Sequence, residues 1–280
     1  MIARLEAYVA AERSTRSLGI LRILVVFLLW SRWSNELQPF TAFEGGFSPG
    51  WLALGAAFYT TTTWMLLGWH TRLATTATAI VIGVMVYGVG RSGAMFAWTH
   101  HHTTLLALSV MFLAFTPCGA SLSVDRWLAV RDARHRGVPP PPERGSTWAL
   151  GLLALQVSTI YFWGAVDKTN LPFLSGDRLE QIAIHVYGGS DWAPPGWFHP
   201  LMSIGAIGAT VLEYVLVVGL WIPSWRRWLA PIGIVLHAAF YLLLPQVNTF
   251  SCTMIALYLS FYDPDDVERF LDGLLGHPTG

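Results

Sequence analysis

Eight apolar segments divide this chain, and each is close to the length that crosses a lipid bilayer. They cover residues 17–33, 51–69, 73–90, 97–117, 148–166, 200–222, 228–244 and 249–262. A spanning helix needs about 20 residues, with a range of ~17–25. The last segment is short, so it either tilts less or begins before residue 249. Only 12% of the residues are charged, whereas a soluble domain carries about 25%. The predicted fold is therefore all-α, a polytopic membrane bundle of about eight transmembrane helices. No basic patch interleaved with aromatics points to nucleic acid. The first apolar segment lacks a small-residue cleavage site, so it reads as a retained helix and not a signal peptide. Cys118 and Cys252 make no disulfide framework and are expected at opposite ends of the bundle.

The basic residues set the orientation. With the N-terminus inside, the inner side holds Arg4, Arg13, Arg16, Arg72, Arg126, Arg131, Arg134, Arg136, Arg144, Arg226, Arg227 and Arg269. The outer side holds Arg32, Arg91, Lys168 and Arg178, a split of 12 against 4. Both termini are predicted to be cytoplasmic, in a cell-membrane protein whose first partner is the lipid bilayer. Residues 120–146 form one inner linker, rich in charge and carrying four prolines at 139–142. Such a run is expected to be extended and solvated. No repeat relates the two halves, so residues 1–262 read as one integral domain. In the tail, 263–280, Val267, Phe270, Leu271 and Leu274 recur at helical spacing, which predicts a short amphipathic helix on the inner surface.

In this orientation the outer side gathers the polar groups. Lys168 is the only lysine. Unlike arginine, a lysine in an apolar setting can lose its proton. It either snorkels to the interface as an anchor or serves as a base. His100, His101 and His102 stand near the same level. Consecutive helical residues point about 100° apart, so this run does not converge on a metal, and no metal is expected. The outer loop adds Asp177, Arg178, Glu180, His185, Asp191 and His199. Within the apolar segments lie Arg22, Glu213 and His237. An unpaired buried charge is costly, so Arg22 and Glu213 are expected to pair with each other. His237 is either a proton relay or a satisfied core histidine.

These residues carry a resemblance. The stretch from Gln156 through Tyr161, Phe162, Trp163, Gly164, Asp167 and Lys168, followed by Ser175, Gly176 and Asp177, resembles the vitamin K-dependent gamma-carboxylase superfamily. The nearer branch is the bacterial stand-alone one, the horizontally transferred transmembrane (HTTM) domain. Its Tyr-Phe-x-x-Gly-x-x-Lys segment matches Tyr161 to Lys168. Arg22, the turn Gly68 to Arg72, His102 with Leu105, Pro117 with Gly119, Ser123 with Asp125, Glu213, Arg226 with Arg227, and His237 follow the family order. Together they span residues 17–262, nearly the whole chain.

The resemblance implies an enzyme that uses a reduced quinone of the vitamin K or menaquinol type. In the carboxylase a lysine deprotonates reduced vitamin K, which reacts with oxygen. The resulting alkoxide takes a proton from glutamate, and the carbanion captures carbon dioxide. Lys168 falls on that lysine and His102 on a histidine near the quinone oxygens, with His237 as a further catalytic candidate. Trp98, His101, Tyr161, Phe162 and Trp163 would line the quinol site. There are departures. His101 stands where the family has asparagine, Asp167 where a lysine often precedes the base, and the carboxylase's large lumenal region has no counterpart here. The implied activity is thus quinol-linked oxidation or carboxylation-type chemistry at an outer-facing site. The alternative is a non-catalytic membrane partner in maturation or export of a secreted peptide. A small-solute transporter is a third reading, although no corresponding pair of Gly/Pro-interrupted helices supports it.

Overall fold

In the computed structural model, the residues described are 2–39, 43, 48–92, 98–99, 101–188, 192–244 and 247–275. The described residues of the eight apolar segments are mostly helical. In chain order the elements are α1 (Ile2–Ala10), β1 (Glu12–Ser14), α2 (Arg16–Trp33), α3 (Pro49–Leu67) and α4 (Thr71–Gly83), which a wider π-helical turn, Val84–Val89, continues. Next come α5 (His101–Ala114), α6 (Val124–Arg136), β2 (Arg144–Ser146) and α7 (Ala149–Lys168). A single turn, Leu171–Leu174, leads to α8 (Asp177–Ala183), α9 (Phe198–Gly219), α10 (Pro223–Leu243), α11 (Asn248–Leu257) and α12 (Pro264–Leu275). The protein is thus nearly all-α. Three helices among the described residues are long and apolar enough to cross a membrane: Thr71–Val89, Ala149–Lys168 and Phe198–Gly219. Helix α2 has the length, but Arg16, Arg22 and Arg32 interrupt its apolar character.

The chain forms two compact units. One comprises Met1–Leu153 with Leu259–Gly280, and the other Ala154–Tyr258. In the first unit, Arg22 is fully buried on α2. It does not pair with Glu213 as expected. Its guanidinium donates to the carbonyls of Cys118 at 3.2 Å and Leu66 at 2.8 Å, and also to those of Met65 and Leu122. Met65 and Leu66 lie in the last turn of α3, where helix carbonyls have no amide partner and carry partial negative charge. A rigid five-donor fork suits such a fan of acceptors. Gly68 ends α3 at φ 65°, and a side chain there would run into the Arg22 guanidinium. Asp125 completes the fastening by capping α4 from outside. Its carboxylate accepts from the amides of His70 at 2.9 Å and Thr71 at 2.7 Å, and from the Thr71 hydroxyl at 2.7 Å. Arg22, the Gly68–Arg72 turn, Cys118–Gly119 and Ser123–Asp125 thus form one knot tying α2, α3, α4 and α6.

The charged half of the linker, expected to be extended, is helix α6. Its ends explain why. The Ser123 side chain accepts from the Arg126 amide at 2.9 Å, Asp125 sits in the first turn, and Arg134, His135 and Arg136 sit in the last. That arrangement caps the N-terminus and complements the helix dipole at both ends. The prolines at 139–142 are outside regular structure. Beyond them β2 pairs antiparallel with β1, Arg13 opposite Gly145.

The tail forms α12 and docks on this strand pair through its acidic face. Arg13 meets Asp263 at 2.7 Å, Arg144 meets Asp265 at 3.1 Å, and Arg16 reaches Asp272 at 2.5 Å. The Ser14 amide donates to Asp265 at 3.0 Å. Phe270, Leu274 and Leu275 on the other face are exposed. Partial burial pushes the Asp265 carboxyl up, but the Ser14 amide, Arg144 and Arg13 outweigh it and hold the group below its ordinary 3.8. A carboxylate with a depressed folded value stabilises the docked state above the ordinary value and loses that contribution as pH falls through the folded one. Amide exchange across residues 264–275 should therefore quicken, beyond the intrinsic rate change, once pH drops below about 3.8. Asp265→Asn should produce the same loosening at neutral pH, and unchanged protection in that variant would show that Asp265 does not hold the tail.

Candidate functional site

The second unit places Lys168 where the repeat of an α-helix takes it. Tyr161, Gly164 and Lys168 occupy positions i, i+3 and i+7 of α7 and so share one face. The Lys168 ammonium donates to both oxygens of Glu213 on α9, at 2.8 and 3.0 Å, and to the Gly164 carbonyl at 3.2 Å. The lysine side chain is 22% exposed and the glutamate 6%. Gly164 makes this approach possible. A methyl group there would already touch Glu213 Oε2 and Lys168 Nζ at 3.4 Å, so a larger side chain would push the two helices' polar groups apart. Phe173 closes one flank, with Nζ 6.0 Å from its ring centre. The spacing Tyr-Phe-x-x-Gly-x-x-Lys thus has a physical content: an aromatic hydroxyl, a gap and an amine stacked along one stripe.

One to two turns back along that stripe lies a buried hydroxyl chain. The Tyr161 hydroxyl shares a hydrogen bond with His237 Nε2 on α10 at 2.7 Å, and another with the Tyr258 hydroxyl. His237 is 1% exposed. Its Nδ1 has no hydrogen-bond partner among the described residues, so this histidine is only half satisfied. Gly233, one turn before His237, leaves the space that the Tyr258 hydroxyl fills. Such a chain of hydroxyls ending on an imidazole can pass a proton. Tyr258 and Gly233 were not singled out from the sequence. A tyrosine near the end of an apolar segment reads as interface belt, and nothing local marks a glycine as a cavity.

The structure sorts the remaining candidates. Phe162 and Trp163 are exposed and lie about 120° and 140° around α7 from Lys168. They therefore belong to a different face and do not line the Lys168 site. Tyr161 is buried, with its hydroxyl already shared. Trp98 is fully buried in the first unit, stacked on Trp51 at 5.6 Å and edge-on to Trp33 at 6.5 Å. Its indole N–H has no acceptor among the described residues. The side chains of His101 and His102, and all of His100 and Asp191, lie outside the described residues. The aromatic candidates of this unit, Tyr161, Phe162 and Trp163, thus assemble no shared ring pocket around Lys168. At the start of α8 and of α9, Asp177, Glu180 and His199 converge. Both cysteines are free thiols.

No family model matches the chain, and no curated protein or solved structure does either.

Proposed function

We propose that this is a multi-pass protein of the cell membrane with eight spans and both termini on the inner side. In this reading Lys168 is the general base of an outer-facing site acting on a reduced quinone, in oxidation or carboxylation-type chemistry similar to that of the gamma-carboxylases. The observation that carries it is the Lys168–Glu213 pair, an amine shared with a nearly buried carboxylate at 2.8 Å. The asymmetry of basic residues, 12 against 4, supports the orientation, and the exposed apolar face of α12 would then rest on the inner membrane surface.

A lysine held as an ammonium by Glu213 is no base. Glu213 is also the acceptor nearest to hand. Transfer of one proton along their hydrogen bond makes both groups neutral and removes two charges from an apolar setting. The freed amine can then take a proton from a hydroxyl presented at its exposed edge. A reduced quinone, when bound, would supply that hydroxyl proton and an electron pair. The Tyr161–His237 chain, on the same face of α7, would serve as a proton path within this unit.

A second reading has its own observation. All three Lys168 donors are filled, by the two Glu213 oxygens and the Gly164 carbonyl. That arrangement also suits a structural staple in a non-catalytic partner for maturation or export of a secreted peptide. Lys168→Arg separates the two, because arginine keeps the charge and cannot deprotonate. Purified protein should turn over a reduced menaquinone or vitamin K, and Lys168→Arg should abolish turnover with the melting temperature preserved. Turnover that survives in Lys168→Arg removes the base. A wild type inert toward both quinols favours the partner reading.

A further inference from the structure

We propose that Asp177, Glu180 and His199 form a binding site for one divalent transition-metal ion of the zinc class, at the docking point of α8 on α9. The site is independent of the quinol reading and uses none of its residues.

Three ligand-capable atoms converge there. His199 Nδ1 lies 2.6 Å from Glu180 Oε2 and 3.9 Å from Asp177 Oδ1, and all three atoms fall within 4.8 Å of one another. A tetrahedral zinc with bonds of about 2.0 Å holds its ligand atoms about 3.3 Å apart. Glu180 must therefore draw back by about 0.7 Å and Asp177 close in by about 0.6 Å, shifts that side-chain rotation supplies. The donor set is one imidazole and two carboxylates, mixed nitrogen and oxygen, which suits zinc better than calcium. Calcium takes six to eight oxygens. Three protein ligands leave a position open to water, and all three side chains are partly solvent-accessible, Glu180 least, at 20%.

The backbone holds the three together. Asp177 and Glu180 are three residues apart on α8, so they share a face, and His199 is the second residue of α9. Gly176, at φ 90°, lets the chain press against α9. A side chain there would strike the backbone of Met202 at 2.8 Å and of Ser203. The Ser203 hydroxyl donates to the Ser175 carbonyl, and the Ser175 hydroxyl to Asp177 Oδ2 at 2.7 Å.

Charge supplies a separate argument. Two carboxylates are aimed at one point, and no lysine or arginine forms an ion pair with either of them among the described residues. Among the described residues their ion-pair partner is the His199 imidazole, which carries charge only when protonated. Asp263, Asp265 and Asp272, by contrast, are each offset by an arginine. A divalent cation would neutralise the pair and leave His199 neutral as a ligand.

The test is calorimetric titration of Zn²⁺ into the full-length, EDTA-stripped protein in detergent, with Mn²⁺ and Ca²⁺ in parallel. His199→Ala and Glu180→Gln should each weaken one zinc equivalent by about 100-fold, since losing even an outer-shell partner costs roughly 10–100-fold. The triple variant His100→Ala, His101→Ala, His102→Ala controls for the other histidine-rich stretch and should retain that equivalent. Melting temperatures in EDTA should match across all variants, which separates lost ligation from lost fold. Zinc binding that survives His199→Ala, or vanishes in the triple variant, overturns the site. So does a wild type that binds no zinc, or binds calcium more tightly than zinc.

Discussion

Arg22→Ala should be the most damaging single substitution in the first unit. The side chain is fully buried, and four backbone carbonyls depend on it. Removing it leaves those acceptors facing a void, and a hydrogen bond to a charged group contributes about 1.5–3 kcal/mol. Such terms do not add, but a total near ~4 kcal/mol is the scale for breaking a buried charged cluster. At ~2–4 °C per kcal/mol for a chain of this size, the melting temperature in detergent should fall by about 10 °C or more. Arg22→Lys should recover only part of the loss, because one ammonium cannot span carbonyls on α3 and in the Cys118–Leu122 segment. Differential scanning fluorimetry decides it. A lysine variant as stable as wild type would mean that charge alone, and not the fork, holds the knot.

The helices themselves were legible in the sequence, and the partners of the buried charges were not. Runs of apolar residues report their own environment, so the described parts of the segments are largely helical, and Thr71–Val89, Ala149–Lys168 and Phe198–Gly219 lie close to the expected bounds. Arg22 and Glu213 were matched because each was an ionisable group inside an apolar segment. That reasoning omitted backbone carbonyls, which no sequence displays as acceptors, and did not weigh Lys168, placed at a helix end, as the partner of Glu213. Helix α6 was missed for the opposite reason. Its composition is charged throughout, and hydropathy ignores the capping signals at Ser123 and Asp125 that were in plain view. The strands β1 and β2 are three residues each and exist because Arg13 and Gly145 meet across more than a hundred residues of chain, a fact no local pattern carries. Of the candidate site, Tyr161, Gly164 and Lys168 were singled out by the family resemblance, and helical spacing then sets them on one face. Tyr258 and the convergence of Asp177, Glu180 and His199 could not be read in this way, since each joins residues from different helices.

The Lys168–Glu213 pair should show the signature of a buried ion pair when it is taken apart in both orders. Lys168→Met strands a carboxylate that is 6% exposed, whereas Glu213→Leu strands an amine that is 22% exposed and can lean toward water. The first substitution should therefore cost more. Breaking one half of a buried pair costs about 3–5 kcal/mol, and the partial exposure of Lys168 places Glu213→Leu below that range. The double variant, Lys168→Met with Glu213→Leu, removes both charges and should regain most of the lost stability, because two apolar side chains of similar volume replace a pair that had to be desolvated. The quantity to measure is the coupling energy of the double-mutant cycle from thermal melts in detergent. Losses that simply add would mean the two groups do not interact in the folded protein. The cycle also bears on function. A double variant that is as stable as wild type yet turns over no quinol assigns the pair to chemistry. A stable double variant that turns over quinol as wild type does assigns it to scaffolding, since the apolar replacement would then have preserved everything the pair does.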